Sequence, residues 1–277
     1  GFNFVPAKHI NPSLGYGYDY DVVNSEVILN RMSVKDGRFI LPDGMHYELL
    51  VLPDRKDMNL QVLQKIKEFL TAGGTVVGPK PVQSNGLAGY PVKDRQVKQL
   101  ADLLWGNCDG KNVFEHRYGN GKIIWGRSLR EILLARSIVP DFNYTSDKEA
   151  ADLDFIHRRT AEADIYFIRN KKMRREFVNA SFRVSAGAPE LWLPETGTIL
   201  QQPVYEQTPE GVRVPLKLAP YGSLFVVFRK PDNRPHLVSL DSRINTAKVT
   251  EREVRVTAFK NGSYEMKTSD GRTIDFV

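Results

Sequence analysis

MHYELLVLPDRKDMNLQVLQKIKEFLTAGGTVVGPKP, residues 45–81, reads as one strand–helix–strand unit. The apolar run ELLVL at 48–52 is a short strand, and Pro53-Asp54 cannot continue its ladder. Asn59 is placed to cap a helix. Val62, Leu63, Ile66, Phe69 and Leu70 then recur at helical spacing, with Gln61, Lys65, Lys67 and Glu68 on the opposite face. Ala72-Gly73-Gly74 supplies a left-handed stop. TVVG at 75–78 is the second strand, ended by Pro79 and Pro81. Two apolar strands joined by a helix imply a parallel pair, because a parallel connection needs a long crossover. Ligand clefts in such sheets lie at the carboxyl ends of the strands. Here those ends are Pro53-Asp54-Arg55 and Gly78-Pro79-Lys80.

Working outward, residues 22–32 read as a helix with Val23, Val27, Ile28 and Met32 on one face. Asp36-Gly37 marks a turn before a strand at 38–41. Residues 83–91 form a Gly- and Pro-rich loop, and Asp94 is expected to cap a helix that runs to Trp105. Residues 112–126 read as a hairpin around Gly119-Asn120-Gly121, and Ser128 caps a last helix with Ile132 and Leu133 on its apolar face. The fold class expected is α/β plus β. Residues 1–145 make a doubly wound, flavodoxin/amidotransferase-like, mostly parallel sheet domain. After residue 145 the period changes to two, with strands near 154–159, 163–168, 177–184, 191–193, 212–218 and 223–228, so residues 146–230 are expected to form an antiparallel β-sandwich. Residues 229–247 read as a polar, Pro-bearing linker. The segment 231–277 as a whole is assigned to linker and β-hairpin tail, with turns at Asn261-Gly262 and Asp270-Gly271, either a small appendage or part of a further module.

The composition narrows the function classes. Lys and Arg number 39 and Asp and Glu 33, for a net charge of +6, which is mild for a chain of 277 residues. The densest basic run, RNKKMRR at 169–175, lies between apolar segments and reads as a solvated hairpin turn more readily than as a phosphate site. Nucleic acid is therefore not an expected partner. Membrane is not either, since no run approaches the length of a span. A single cysteine, Cys108, excludes an intrachain disulfide. The chain begins at Gly1 without an initiator methionine, which suggests a processed piece or a fragment of a longer polypeptide.

Candidate chemistry is sparse. No two of the five histidines stand at ligand spacing and one cysteine cannot build a thiolate site, so no metal is expected in this chain. An amidotransferase-type site needs a cysteine in a strand–turn–helix elbow, but the turn after the second strand is Gly78-Pro79-Lys80-Pro81. Glycoside hydrolysis needs two carboxylates. Asp54, Glu190 and Glu195 stand at strand ends, where Asp54 either caps a turn or meets a ligand and the glutamates serve solubility. His157 reads as a strand residue with a satisfied ring rather than as a base. Tyr16, Tyr18 and Tyr20 alternate with Gly17, Asp19 and Asp21, a pattern that fits either a sugar-lining segment or a packed surface loop. The candidate substrate-binding residues are Tyr18, Asp19, Asp21, Asp54 and Arg55; no catalytic residue is assigned.

Several segments carry a family resemblance: residues 17–54 (GYDYDVVNSEVILNRMSVKDGRFILPDGMHYELLVLPD), 65–81 (KIKEFLTAGGTVVGPKP), 100–106 (LADLLWG), 154–170 (DFIHRRTAEADIYFIRN), 189–197 (PELWLPETG) and 220–228 (PYGSLFVVF). Together they resemble the C-terminal part of the bacterial α-L-rhamnosidases of glycoside hydrolase family 106. The first domain also resembles the class I glutamine amidotransferase-like fold without its nucleophile. The family resemblance implies an upstream catalytic barrel in the same polypeptide as the main partner, inverting hydrolysis of α-L-rhamnosides there, calcium in the full-length parent, a plant cell-wall oligosaccharide as ligand and a periplasmic or secreted location. The expected function is a non-catalytic C-terminal portion that buttresses the barrel. The alternative is a stand-alone carbohydrate-binding module using Tyr16, Tyr18, Tyr20 and Trp192.

Overall fold

Helix α2 (Leu60–Thr71) crosses between two parallel strands, β4 (Leu50–Val51) and β5 (Thr75–Val77), in the computed structural model of the chain. The structure describes residues 14, 16–185, 187–229, 236–241, 243–249 and 253–277. Residues 1–13 and the middle of the linker read over 229–247 lie outside these. The chain divides into two compact units, one holding residues 19–138 and the other residues 16–18 and 139–277.

In the first unit α1 (Ser25–Asn30) is capped by Asn24, whose side chain accepts from the Val27 amide. It precedes an antiparallel meander of β1 (Ser33–Lys35), β2 (Arg38–Ile40) and β3 (His46–Tyr47). Asp36 and Gly37 both take positive φ, 52° and 77°, the two-residue turn whose twist suits a hairpin. Asn59 caps α2 by accepting from the Gln61 amide, and Gly73 turns out of the helix at φ 101°. All five residues of the expected apolar face of α2 are buried. They share one core with Val76, Val97, Leu104, Trp105 and Ile123, and Phe69 meets Phe39 edge-on at 5.5 Å.

The rest of this unit departs from the sequence reading in two places. Helix α3 (Val92–Trp105) starts after Pro91 with no side-chain cap. Asp94 lies in its first turn and instead accepts from the Ser84 amide at 3.1 Å, tying the preceding loop to the helix. The hairpin of β6 (Glu115–Tyr118) and β7 (Gly121–Ile124) is present, but β7 also pairs in parallel with β5. Its Ile123 and Ile124 are buried, and Gly121 lets it approach α2: a Cβ there would stand 2.4 Å from the Gly74 carbonyl oxygen and 2.6 Å from that of Leu70. The sheet is mostly parallel, as expected, in the order β4-β5-β7-β6 with β6 antiparallel at its edge. Before β6, Asp109 Oδ1 accepts from the amides of Lys111, Asn112 and Val113 at 2.8–2.9 Å, and these bonds hold its carboxyl well below the usual carboxylate range. A capping box of Ser128 and Glu131 opens α4 (Leu129–Ala135).

The second unit begins before the expected boundary at residue 145, because β8 (Phe142–Ser146) pairs with β11 (Glu176–Phe182). One sheet adds β14 (Glu206–Thr208) and β15 (Gly211–Leu218) to these two, in the order β14-β15-β11-β8. The other contains β9 (Leu153–Arg159), β10 (Asp164–Asn170), β12 (Pro189–Leu193), β13 (Thr198–Gln201) and β16 (Ser223–Phe228), in the order β13-β12-β16-β10-β9. Every pairing is antiparallel. Alternate residues such as Val178, Ala180 and Phe182 of β11 and Leu224, Val226 and Phe228 of β16 meet in a single core. The basic run 169–175 joins β10 to β11, which lie in different sheets, so it is an inter-sheet connection and not a hairpin turn. Asn170 organises it by bonding the Arg174 and Ala219 carbonyls, while Arg169 and Lys171 pair with Asp154 and Asp152 and Arg174 pairs with the buried Glu176.

The tail is larger than a hairpin. It has β17 (Leu237–Leu240), β20 (Tyr264–Thr268) and β21 (Thr273–Phe276) in one sheet and β18 (Ile244–Val249) with β19 (Val254–Ala258) in another. Leu237 joins it to the sandwich through backbone bonds with Pro203 and Tyr205. Among the described residues no helix is long and apolar enough to cross a membrane.

Two outcomes follow from this packing. Ile66→Ala removes a fully buried side chain from the α2 face, and chemical denaturation is expected to show a loss of about 2–5 kcal/mol. Asp109 has a lowered folded pKa, so its contribution is complete above the unfolded carboxyl value of about 3.9 and is lost as pH falls through the folded value. The melting temperature of Asp109→Asn is therefore expected to lie below that of the parent chain at neutral pH, with the gap closing as the pH is lowered through the acid range.

Candidate functional site

The two loops that leave the carboxyl ends of β4 and β5 stay together beyond the strands. Asp57 and Gln83 form a parallel bridge, the Met58 amide donates to the Gln83 carbonyl at 3.0 Å, and the Val82 amide donates to the Lys56 carbonyl at 2.8 Å. At the head of the second loop Gly78 adopts φ 153°, and a Cβ there would stand 2.7 Å from Leu52 Cβ. Trp105 Nε1 donates to the Gly78 carbonyl at 3.1 Å. Residue 78 is thus closed to any side chain. Lys80 is drawn onto α3, 2.5 Å from Asp102. The bond from Lys80, joined by one from Lys98, holds the Asp102 carboxyl below its ordinary range.

Past this closed turn the loops open into a cleft of about 420 Å³ lined by Asp57, Gln83, Ser84, Asn85, Gly86, Leu87, Tyr90 and Asp94. Its side chains offer two carboxylates, two amides, a hydroxyl and a phenol ring. Tyr90 is 66% exposed and Leu87 87% exposed. The carboxylates are already engaged. Arg55 clamps Asp57 with both oxygens used, Nε to Oδ1 at 3.2 Å and Nη2 to Oδ2 at 2.7 Å, and Asp94 Oδ1 accepts from Ser84. Such a lining can hydrogen-bond hydroxyl groups and stack a ring face on Tyr90. The guanidinium occupies both oxygens of Asp57 and fixes their orientation.

The sequence-predicted residues are distributed differently. Arg55 reaches the cleft through Asp57, whereas Asp54 precedes it in the same loop and is not part of the lining. Asp21 accepts from the Tyr47 hydroxyl at 2.7 Å, and Asp19 accepts from the Tyr20 amide. Burial first, and then the bond to Asp21, push the Tyr47 phenol up. Neither aspartate lines the cleft. The division between the two units falls between Tyr18 and Asp19. Tyr18 is half-buried. Tyr16 packs edge-on against Tyr144 and Phe155 and donates to the Leu153 carbonyl. Trp192 lies beneath the Arg229 guanidinium at 5.5 Å and donates to Glu190. His157 is held on both ring nitrogens, by Asp141 and Asp164 at 2.8 Å each, and stacks on Tyr166 at 4.0 Å.

Asp57, Gln83, Ser84, Asn85, Tyr90 and Asp94 were not singled out from sequence. The available signal was the long Gly- and Pro-rich loop that follows the second parallel strand, where the carboxyl-edge rule applies as strongly as after the first. Among the described residues no three His, Cys, Asp or Glu side chains gather as a metal-ligand set.

The sequence model of one family, described as alpha-L-rhamnosidase, matches residues 5–207. A putative beta-glucuronidase of Formosa agariphila is 34% identical over 234 residues, which cover 84% of this chain and 19% of the relative. The solved structure of a rhamnosidase from Novosphingobium sp. PP1Y aligns with a TM-score of 0.71 at 27% identity, over 82% of this chain and 22% of that one. The chain spans about a fifth of the length of both.

The cleft depends on the tie between Asp94 and Ser84. Asp94→Ala is expected to speed native-state hydrogen exchange at the Ser84 amide by about tenfold, with the amides of β5 unchanged.

Proposed function

Because the chain belongs to the α-L-rhamnosidase family, glycoside hydrolase family 106, we propose that it is the non-catalytic C-terminal portion of a rhamnoside-cleaving glycosidase. In this reading a catalytic domain lies upstream in the same polypeptide. The two units described above buttress that domain, and the cleft at the carboxyl edge of the parallel strands faces the saccharide. The chain's share of its relatives, about a fifth, supports an accessory role. The observation that carries it is the state of the cleft carboxylates. Inverting hydrolysis needs one carboxyl group to give a proton and another to activate water. Asp57 is paired with Arg55, and Asp94 accepts from the Ser84 amide of the loop before its helix. The first unit is read as an amidotransferase-like scaffold that has lost its nucleophile, for which the closed turn at Gly78 is the support. A stand-alone sugar-binding module built on Tyr16, Tyr18, Tyr20 and Trp192 is less well supported, because the Tyr16 ring packs on Tyr144 and the Trp192 ring is covered by Arg229.

Incubated with p-nitrophenyl α-L-rhamnoside, the 277-residue chain is expected to release no p-nitrophenol above the buffer blank. Turnover by the chain alone would overturn the accessory role. In the full polypeptide, Tyr90→Ala is expected to raise KM several-fold while kcat changes by less than about twofold, the pattern of a lost uniform binding contact.

A further inference from the structure

A second cleft, of about 690 Å³, lies in the first unit at the opposite edge of its parallel strands, beside Glu48 just before β4. It is built on the outer face of the β1–β2–β3 meander. Side chains alternate across a strand, and the register sets Lys35 opposite Arg38 and Ile40 opposite His46. Val34, Phe39 and Tyr47 take the inner face and pack into the core. Arg136, which follows α4, completes the lining with Glu48.

The lining carries three cations, Lys35, Arg38 and Arg136, and two carboxylates, Asp36 and Glu48. Glu48 is shared between two guanidiniums, with Arg38 Nε 2.8 Å from Oε1 and Arg136 Nη2 3.1 Å from Oε2. Arg136 Nη1 also donates to Thr75 Oγ1 at 2.9 Å. The contacts of Arg136 with Glu48 and Thr75 tie the end of α4 to the sheet, which is a structural task. Arg38 and Lys35 have no such task, since they stand on the exposed face of the meander. A guanidinium carries five N–H donors, and the contact with Glu48 uses one of those on Arg38. Among the described residues Lys35 forms no ion pair. Arg136 and Glu48 are each about a quarter exposed, at 27% and 26%, so the attraction they feel is screened less than at an open surface.

We propose that this cleft binds the anionic substituent, carboxylate or sulfate, of an acidic saccharide. Arg38 and Arg136 present N–H donors to its oxygens, Lys35 adds a point charge, and Ile40 lies beside the sugar ring. The saccharide part of the assignment rests on the reading of the chain as part of a glycosidase; the anion site rests on the geometry alone.

The test is calorimetric titration of the 277-residue chain with methyl glucuronide, glucose 6-sulfate and neutral methyl glucoside, alongside sodium acetate and sodium sulfate. At least one acidic sugar is expected to bind about tenfold or more tightly than the neutral one. Its binding is expected to weaken as sodium chloride rises from about 0.05 to 0.5 M. Lys35→Gln alone, and Lys35→Gln combined with Arg38→Gln, are expected to weaken it progressively, to about tenfold or more in the double variant. Thermal midpoints within a few degrees of the parent establish that both variants fold. Tyr90→Ala, in the other cleft, is expected to leave it unchanged. Absence of binding by both acidic sugars, or binding that Lys35→Gln and the double variant do not alter, overturns the anion site. Acetate or inorganic sulfate binding as tightly as the sugar acids overturns the saccharide assignment. None of these measurements uses rhamnoside turnover, so the outcome is read separately from that of the accessory role.

Discussion

Leu63, Ile66 and Leu70 are fully buried on the face of α2 that covers the parallel strands, and parallel strands cannot be joined without such a crossover. Burial of these three side chains contributes roughly 5–9 kcal/mol before the entropy of ordering the helix is counted. Once the crossover is in place, the two ends of the sheet become different surfaces. The carboxyl edge releases the loops that carry Asp57 and Gln83, and the amino edge brings Glu48 beside Thr75 and Arg136. Both clefts of the first unit are therefore consequences of one packed helix. The narrow approach of β7 depends on it too, since Gly121 passes beside the Leu70 and Gly74 carbonyls at the helix end.

The charged groups follow a consistent rule. Four carboxylates near the candidate surfaces are bonded to defined donors: Asp57 to Arg55, Asp94 to the Ser84 amide, Glu48 to two arginines and Glu190 to the Trp192 indole. His157 is held at both nitrogens and stacked on a tyrosine. Partners of this kind fix one orientation, which suits recognition and support. An acid–base pair needs two carboxyl groups whose surroundings push them apart.

Family membership bears on the whole chain in a different way from its local chemistry. The match over residues 5–207 includes most of the first unit and the greater part of the sandwich, while the strands of the tail lie beyond it. The tail is nonetheless joined to the sandwich by the backbone bonds of Leu237, and Tyr205 stacks on His236 at 3.7 Å. A segment outside the family match is thus fastened to the matched part by main-chain hydrogen bonds, which do not depend on the identity of the side chains.

Local period determined much of the architecture from sequence alone. The 3.6-residue spacing of Val62, Leu63, Ile66, Phe69 and Leu70, the Asn59 cap and the glycines after Ala72 specify α2 and its stop, and strict alternation specifies β11 and β15. These are contacts between near neighbours, so spacing encodes them. Tertiary structure decided which strands share a sheet and which side chains share a cleft. The second arm of a hairpin became a central parallel strand, the basic turn became a connection between sheets, and Asp57, rather than Asp54, reached the carboxyl-edge cleft. Arg136 meets Glu48 across 88 residues and Thr75 across 61. Spacing along the chain carries no record of such encounters, because they are settled by which surfaces remain to be covered once the local elements have formed.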